Sequence, residues 1–544
     1  MCYMGSGGMK IRKYLCAALA AGCGLSAWWG TVAAAAEEPV AETASPQKSG
    51  IWVSRYTFIG ENPVPEEELQ KILVMHRHRC MTPEELDSAA QEVTKYLRLQ
   101  GHFVAFAYVP PQRFERGVVE MRIVPGHYDT IIINNTSYLT DHAIRREMGV
   151  TTGDAVKKEP LNRGVWLTSD LSRVEARTQL KAGSRQGTTD LVVNVKPKGN
   201  RMWGYVGIDN GGYRYTGRYQ YSAFFNYASP FRQGDLFSIG GVRSNGDMWS
   251  GSVSYVTPVA KQGEKLGISY ARSHYTLGGA FAALGYIGSA ETLSVWWQHN
   301  FRRSRNFNLY GTVRHDWKDL DESASSMFYK NPKKASNWVF GINGDSIDSF
   351  WTGGRSTFAL NYTHGDIRFD DEMQRLADRM TARTGGHFGK YNLSLTRLQN
   401  VRDRLALYLS YSRQWAEKNL DASEKMSLGG PYGVRAYPLG EASGDDGWMW
   451  TSELRWNLPT GEGDKNIWQL IAFADGGHVD SYHNGAPAGQ PNGRSLYGAG
   501  IGVNWSNEAN WVAHLHYARR IGGARALSER DIGGRFWFQL YKFY

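Results

Sequence analysis

Cysteine is scarce in this chain of 544 residues: there are four, and Cys2, Cys16 and Cys23 all fall within the first 36. That segment reads as a secretory leader, so only Cys80 remains in the mature chain, which excludes an intramolecular disulfide framework. The mean hydropathy of −0.46 argues against a helical membrane protein, whose spans need runs of about 18 or more apolar residues. Catalytic signatures are missing as well. There is no H-E-x-x-H, no G-x-S-x-G and no P-loop lysine motif. Gly498-Ala499-Gly500-Ile501-Gly502 superficially resembles a phosphate loop, but no helix pattern follows it. His76 and His78 stand between two helical segments without a cysteine or carboxylate arrangement around them. The sequence therefore points to no enzyme, no metal and no cofactor.

Aromatic residues and glycine are abundant, at 13% and 62 residues. Disordered chains are poor in aromatics. A transmembrane barrel accommodates both, because only one face of each strand must be apolar. The net charge is +10. In a cytosolic protein this would raise nucleic acid as a partner, but the leader removes the chain from it. Lipopolysaccharide, a basic lumen or an acidic client fit instead.

The leader has Lys10, Arg12 and Lys13 as its positive region, Leu15 to Trp29 as its apolar region, and Ala34 and Ala36 framing an A-x-A cleavage site before Glu37. Met9 is an alternative start. A lipoprotein signal at Cys23 is the rival reading, against which Ala20 replaces the larger aliphatic residue usual three positions earlier. Residues 37–50 are Ala-, Pro-, Glu- and Ser-rich linker. About 14 residues make a helix of roughly 21 Å, too short to plug a bilayer-spanning pore of about 30 Å.

Residues 51–125 mix strands and helices in the order β-α-α-β-β. Thr82-Pro83-Glu84-Glu85 marks a helix start, with Thr82 as N-cap, Pro83 in the first turn and Glu85 closing a capping box. The same order repeats over residues 126–199, so two copies of a small α/β module are expected. From residue 200 to 544 the periodicity changes to two. Tyr219, Tyr221, Ala223, Phe225 and Tyr227 share one face opposite Gln220, Ser222 and Asn226. Trp511, Ala513, Leu515 and Tyr517 alternate with Val512, His514 and His516, which read as pore lining. The final run from Phe536 to Tyr544 has an ambiguous face, because Lys542 interrupts one phase and Gln539 the other. At roughly 20 residues per strand and connection this region holds about 16 strands. The fold class is thus mostly β: a transmembrane barrel of about 16 strands behind two small α/β modules.

Several motifs carry a family resemblance. The first module contains Gly101 to Gln112, including Tyr108-Val109-Pro110-Pro111-Gln112, and Val124-Pro125-Gly126 marks the joint between modules. Gly187 to Val193 fits the last strand of the second. In the barrel, Asp209-Asn210-Gly211-Gly212 precedes Ser427 to Tyr437, which includes Gly429, Gly430, Val434, Arg435, Ala436 and Tyr437. Phe473-Ala474-Asp475-Gly476-Gly477 follows. On these residues the chain resembles the two-partner secretion transporters, the hemolysin secretion/activation family, whose barrels carry periplasmic POTRA modules. The resemblance implies an outer-membrane location in a Gram-negative cell, with the modules in the periplasm and a secreted exoprotein of hemolysin, adhesin or toxin type as partner. Outer-membrane lipid and lipopolysaccharide would surround the barrel. It further implies an inward-folded loop whose Arg435 meets Asp475, on a strand with Phe473 and Gly477, inside the barrel. Tyr108, Pro110 and Gln112 become client-binding candidates. An arginine grips a carboxylate with two parallel hydrogen bonds, which lysine cannot do. The bland alternative is a hydrated pair worth about 1 kcal/mol or less. Ala436 replaces the family's glycine, which restricts access to positive φ and raises the expectation of an altered loop tip. The rival function is a barrel-assembly factor, though those commonly carry five modules rather than two.

Overall fold

The computed structural model describes residues 50–259, 262–461, 463–485, 491–522 and 524–544. The leader, its cleavage site and residues 37–49 lie outside the described residues.

The first module is built around the helix Pro83–Leu99. Its start is fixed by the capping box: Thr82 Oγ1 accepts from the Glu85 backbone at 3.3 Å, and Glu85 returns a carboxylate to the Thr82 backbone N–H at 2.8 Å. Leu86, Ala89, Ala90, Val93 and Leu97 fall on one face at helical spacing and are buried. They pack on a three-stranded sheet in which Arg55–Gly60 runs parallel to Val118–Val124, and Val118–Val124 antiparallel to Phe106–Tyr108. Leu69, Val93 and Val119 are fully buried, each contributing about 1.5–3 kcal/mol of transfer free energy.

The second module repeats the plan. His127–Asn135 pairs parallel with Thr188–Pro197, which pairs antiparallel with Val174–Ala182. The helices Asp141–Met148 and Lys158–Ser169 cover the sheet. The second helix takes Pro160 in its first turn, where the missing N–H is not needed. This module is tied to the barrel at the turn between the strands Met248–Pro258 and Glu264–Thr276 and at the end of the strand Tyr286–Arg303. Gln262 donates to the Glu147 carbonyl at 2.8 Å. Arg163 donates to the Asn300 carbonyl at 2.6 Å. Arg303 forks onto Asp170 at 2.5 and 2.7 Å.

The barrel is closed by sixteen full-length strands, with a short extra strand Tyr329–Lys330 paired to the end of the seventh. In chain order, barrel strands 1 to 8 are Met202–Asp209, Gln220–Ala228, Leu236–Ser244, Met248–Pro258, Glu264–Thr276, Tyr286–Arg303, Phe307–Ala324 and Lys333–Asp348. Strands 9 to 16 are Gly354–Phe369, Gly386–Arg402, Leu405–Ala416, Asp446–Asn457, Asn466–Asp480, Gly493–Asn507, Trp511–Arg520 and Gly534–Phe543. The turns that meet the second module mark the periplasmic end. The alternation seen in the sequence is the alternation of the wall: Tyr221, Phe225, Leu409, Leu515 and Tyr517 are exposed on the outside, while His514 and His516 bond Asn504 on the inside. The last strand takes the phase with Phe536 outward and Trp537 and Gln539 inward. Lys542 is tolerated on the outer face because it sits at the periplasmic rim, where its ammonium reaches the Ala509 carbonyl and lies 5.5 Å from the Trp511 ring. Among the described residues no helix is long and apolar enough to cross a membrane.

Candidate functional site

Strands 11 and 12 are neighbours in the ring, yet residues 417–445 separate them. This extracellular connection folds back into the barrel. A short ribbon, Met426–Leu428 against Ala442–Gly444, carries it inward. The tip turns at Gly429 (φ +91°) and Gly430 (φ +85°), left-handed conformations that favour glycine. Gly430 then donates to the Tyr437 carbonyl at 3.0 Å, closing the tip on itself. Val434 and Tyr437 are fully buried, and Leu428, Phe473 and Leu496 pack with them.

Arg435 sits at the end of this construction, 4% exposed. Its Nε and Nη2 donate to the two oxygens of Asp475, both at 2.8 Å. Its Nη1 donates to Glu453 at 2.7 Å. The guanidinium lies 3.4 Å from the Phe473 ring centroid, and the Arg435 carbonyl accepts from Trp537 Nε1 at 2.7 Å. Asp475 is fully buried and Glu453 nearly so. The second oxygen of Glu453 accepts from Arg455 at 2.8 and 2.6 Å. Removing one member of such a dry set strands the others, at about 3–5 kcal/mol.

The motif glycines have steric reasons. A Cβ on Gly477 would come 2.8 Å from Leu428 Cδ2, and one on Gly498 would come 2.5 Å from Ala436 Cβ. Ala436 is not among the residues with positive φ. The tip is therefore formed without a left-handed residue at that position, and the Ala436 methyl lies against bare backbone at Gly498. The tip also reaches the closing seam of the barrel. Tyr432 accepts from Gln539 at 2.6 Å, while strand 16 pairs with strand 1 only from Gln539 to Phe543. Beyond Gln539 the Asn210 side chain continues the seam, exchanging bonds with Phe538 N–H at 2.8 Å and the Phe536 carbonyl at 2.9 Å.

The structure thus brings Arg435, Phe473 and Asp475 together and adds Glu453 and Trp537, to which the sequence reading gave no role. Glu453 had a usable signal: it is an acid in the lumen phase of the strand beside Asp475. Trp537 had none, because the phase of the last strand is ambiguous in sequence. In the first module, Tyr108 is half-buried and stacks on Phe106 at 6.0 Å. The Gln112 amide pairs with both the N–H (2.8 Å) and the carbonyl (2.7 Å) of Glu120, acting as one more residue of strand at the sheet edge. His76 bonds Glu92 at 3.0 Å, a carboxylate brought in from the neighbouring helix. No cluster able to hold a metal occurs among the described residues.

Comparison with known proteins places this geometry. The family model "Haemolysin secretion/activation protein ShlB/FhaC/HecB" matches residues 187–505, and the "POTRA domain, ShlB-type" matches residues 51–126. The heme/hemopexin transporter protein HuxB of Haemophilus influenzae is 26% identical over 487 residues, 88% of this chain and 84% of the relative. The outer membrane transporter CdiB of Dickeya dadantii is 23% identical over 456 residues, 78% of this chain and 75% of the relative. The solved structure of CdiB from Escherichia coli superposes with a TM-score of 0.76 at 18% identity, covering 93% of each chain.

Proposed function

The chain belongs to the haemolysin secretion/activation protein family, outer-membrane transporters of a large partner exoprotein with POTRA modules in the periplasm, and on that premise we propose how its parts divide the work. The two modules receive the unfolded exoprotein, whose extended segments add to free sheet edges by main-chain hydrogen bonding. The barrel then passes it outward. The inward loop, seated through Arg435, sets the path. Folding of the client outside biases its motion, since the outer membrane offers no nucleotide to drive it. We assign the protein no chemical reaction, no cofactor and no nucleic-acid partner. Lipid and lipopolysaccharide contact the aromatic and apolar outer belt, and a hemolysin, adhesin or toxin is the class of client that the reading implies.

The observation that carries this reading is the buried Arg435 fork on Asp475 and Glu453 at the tip of a loop folded into the lumen. The second reading, an assembly factor for other outer-membrane proteins, is disfavoured by the match to the secretion family over residues 187–505. Deleting the transporter in cells that express a large secreted exoprotein as candidate client separates the two. Secretion predicts that this one protein accumulates in the periplasm while other barrels assemble normally. A general loss of outer-membrane barrels would favour assembly, and continued export of the client would refute transport.

A further inference from the structure

The loop that carries Arg435 does not go straight to its site. Adjacent antiparallel strands are usually joined by a few residues. Leaving strand 11, the chain instead swings back over strands 10, 8 and 7 before turning toward strands 12 to 16. The detour ends in a small set of buried charges. Glu424 is 4% exposed and Asp421 6%. Glu424 accepts from Lys318 of strand 7 at 2.6 Å, from Asn337 of strand 8 at 2.8 Å, and pairs with Lys390 of strand 10 at 2.8 Å. Asp421 pairs with Lys333 of strand 8 at 2.8 Å, itself 5% exposed and also within 3.4 Å of Glu322 on strand 7. The other oxygen of Asp421 caps the turn, accepting from the N–H and hydroxyl of Ser423 at 3.0 and 2.8 Å.

Resting on the loop's proposed role in transport, we propose that Asp421 and Glu424 are positioning residues for secretion: they dock the root of the inward loop on Lys318, Lys333 and Lys390, and so fix the register in which Arg435 reaches Asp475. The polarity of the two docks carries the argument. At the root the loop brings acids to a basic wall. At the tip it brings a base to an acidic wall. Arg435 in the root site would face Lys318, Lys333 and Lys390, and Asp421 or Glu424 in the tip site would face Asp475 and Glu453, like charge in a buried setting in each case. The root dock lies on strands 7 to 10 and the tip on strands 12 to 16, so the loop is held on two separate arcs of the wall. Buried charge sets of this kind contribute little net stability, and fixing register is their best-attested use.

The test uses the full-length transporter in cells, with Cys80→Ser to remove the remaining cysteine and Val434→Cys as a buried reporter at the tip. Asp421→Asn keeps the cap on Ser423, and Glu424→Gln keeps an acceptor for Asn337, so the double variant removes charge and little else. The proposal expects the reporter to react with a membrane-impermeant maleimide at least about tenfold faster in the double variant, and secretion per heat-modifiable barrel to fall by about fivefold or more. Unchanged labelling overturns the proposal, whatever happens to secretion. Faster labelling with undiminished secretion keeps the dock but overturns the role in transport on which it rests. Should the double variant fail to assemble, Glu424→Gln alone is read by the same two measurements.

Discussion

In the first periplasmic module the fully buried side chains include Leu69, Leu73, Val93, Leu97 and Val119. In the extracellular half of the barrel they sit beside Asp475 at 1% exposure, Arg435 and Glu424 at 4%, and Lys333 at 5%. The modules are held by apolar area, which is non-directional and tolerates exchange of one hydrocarbon for another. The inward loop is held by paired charge, which is directional and does not tolerate exchange. The barrel wall itself needs no apolar interior, since its backbone is satisfied around the ring and its apolar face belongs to lipid. The contrast teaches where each region is vulnerable: the modules to lost volume, the loop to a lost or altered charge.

The largest effect expected from that contrast is at Arg435. Arg435→Ala strands Asp475 in a buried site and leaves Glu453 to Arg455 alone, and secretion per inserted barrel should fall close to background while heat-modifiable mobility stays normal. Arg435→Lys should rescue poorly, because a point charge cannot replace the planar fork. Secretion assays with a barrel-insertion control read both. In the modules the matching experiment is Leu69→Ala, which should cost about 2–5 kcal/mol locally and appear as faster hydrogen exchange in residues 51–124. Leu69→Met should be nearly silent there, the tolerance that Arg435 lacks.

A third, smaller effect sharpens the comparison inside the barrel, at a point where the loop is held by shape. Gly498→Ala places a methyl 2.5 Å from Ala436 Cβ, an overpacking of about 1–3 kcal/mol that should lower secretion several-fold. Adding Ala436→Gly should restore it. Failure of that rescue would mean that the tip does not rest on strand 14. The smallest effect is expected in the modules. His102 is buried, and burial, with the Lys157 charge from the second module, lowers its pKa. A base whose folded pKa lies below its unfolded value leaves stability intact at neutral pH and loses it as pH falls below about 6.5. Hydrogen exchange around residues 97–105 should therefore quicken on acidification, and His102→Gln should flatten that dependence.

Much of this architecture is legible in the residues. Thr82-Pro83-Glu84-Glu85 announces its helix because a capping box is local chemistry. Period-two alternation reveals the barrel because lipid and lumen impose it on every strand. Arg435 and Asp475 are found because the motifs that carry them, Gly429 to Tyr437 and Phe473 to Gly477, resemble the family's inward loop and the strand it meets. What is not legible depends on the ring being closed. Glu453 joins Arg435 only once strands 12 and 13 are in register, and the acids Asp421 and Glu424 find their lysines 106 residues away in one case and 88 in another. Gln112, a client-binding candidate by resemblance, also completes a sheet edge through Glu120, which no local pattern reveals.

The account's central claim is that Arg435 and Asp475 act as one unit in seating the loop. A double-mutant cycle on secretion per inserted barrel tests it most directly, using Arg435→Ala, Asp475→Ala and the pair together. The account predicts that each single variant loses most secretion and that the double is little worse than either, the non-additivity expected of directly bonded partners. Independent losses that add in the double variant, or wild-type secretion from Arg435→Ala, would contradict it.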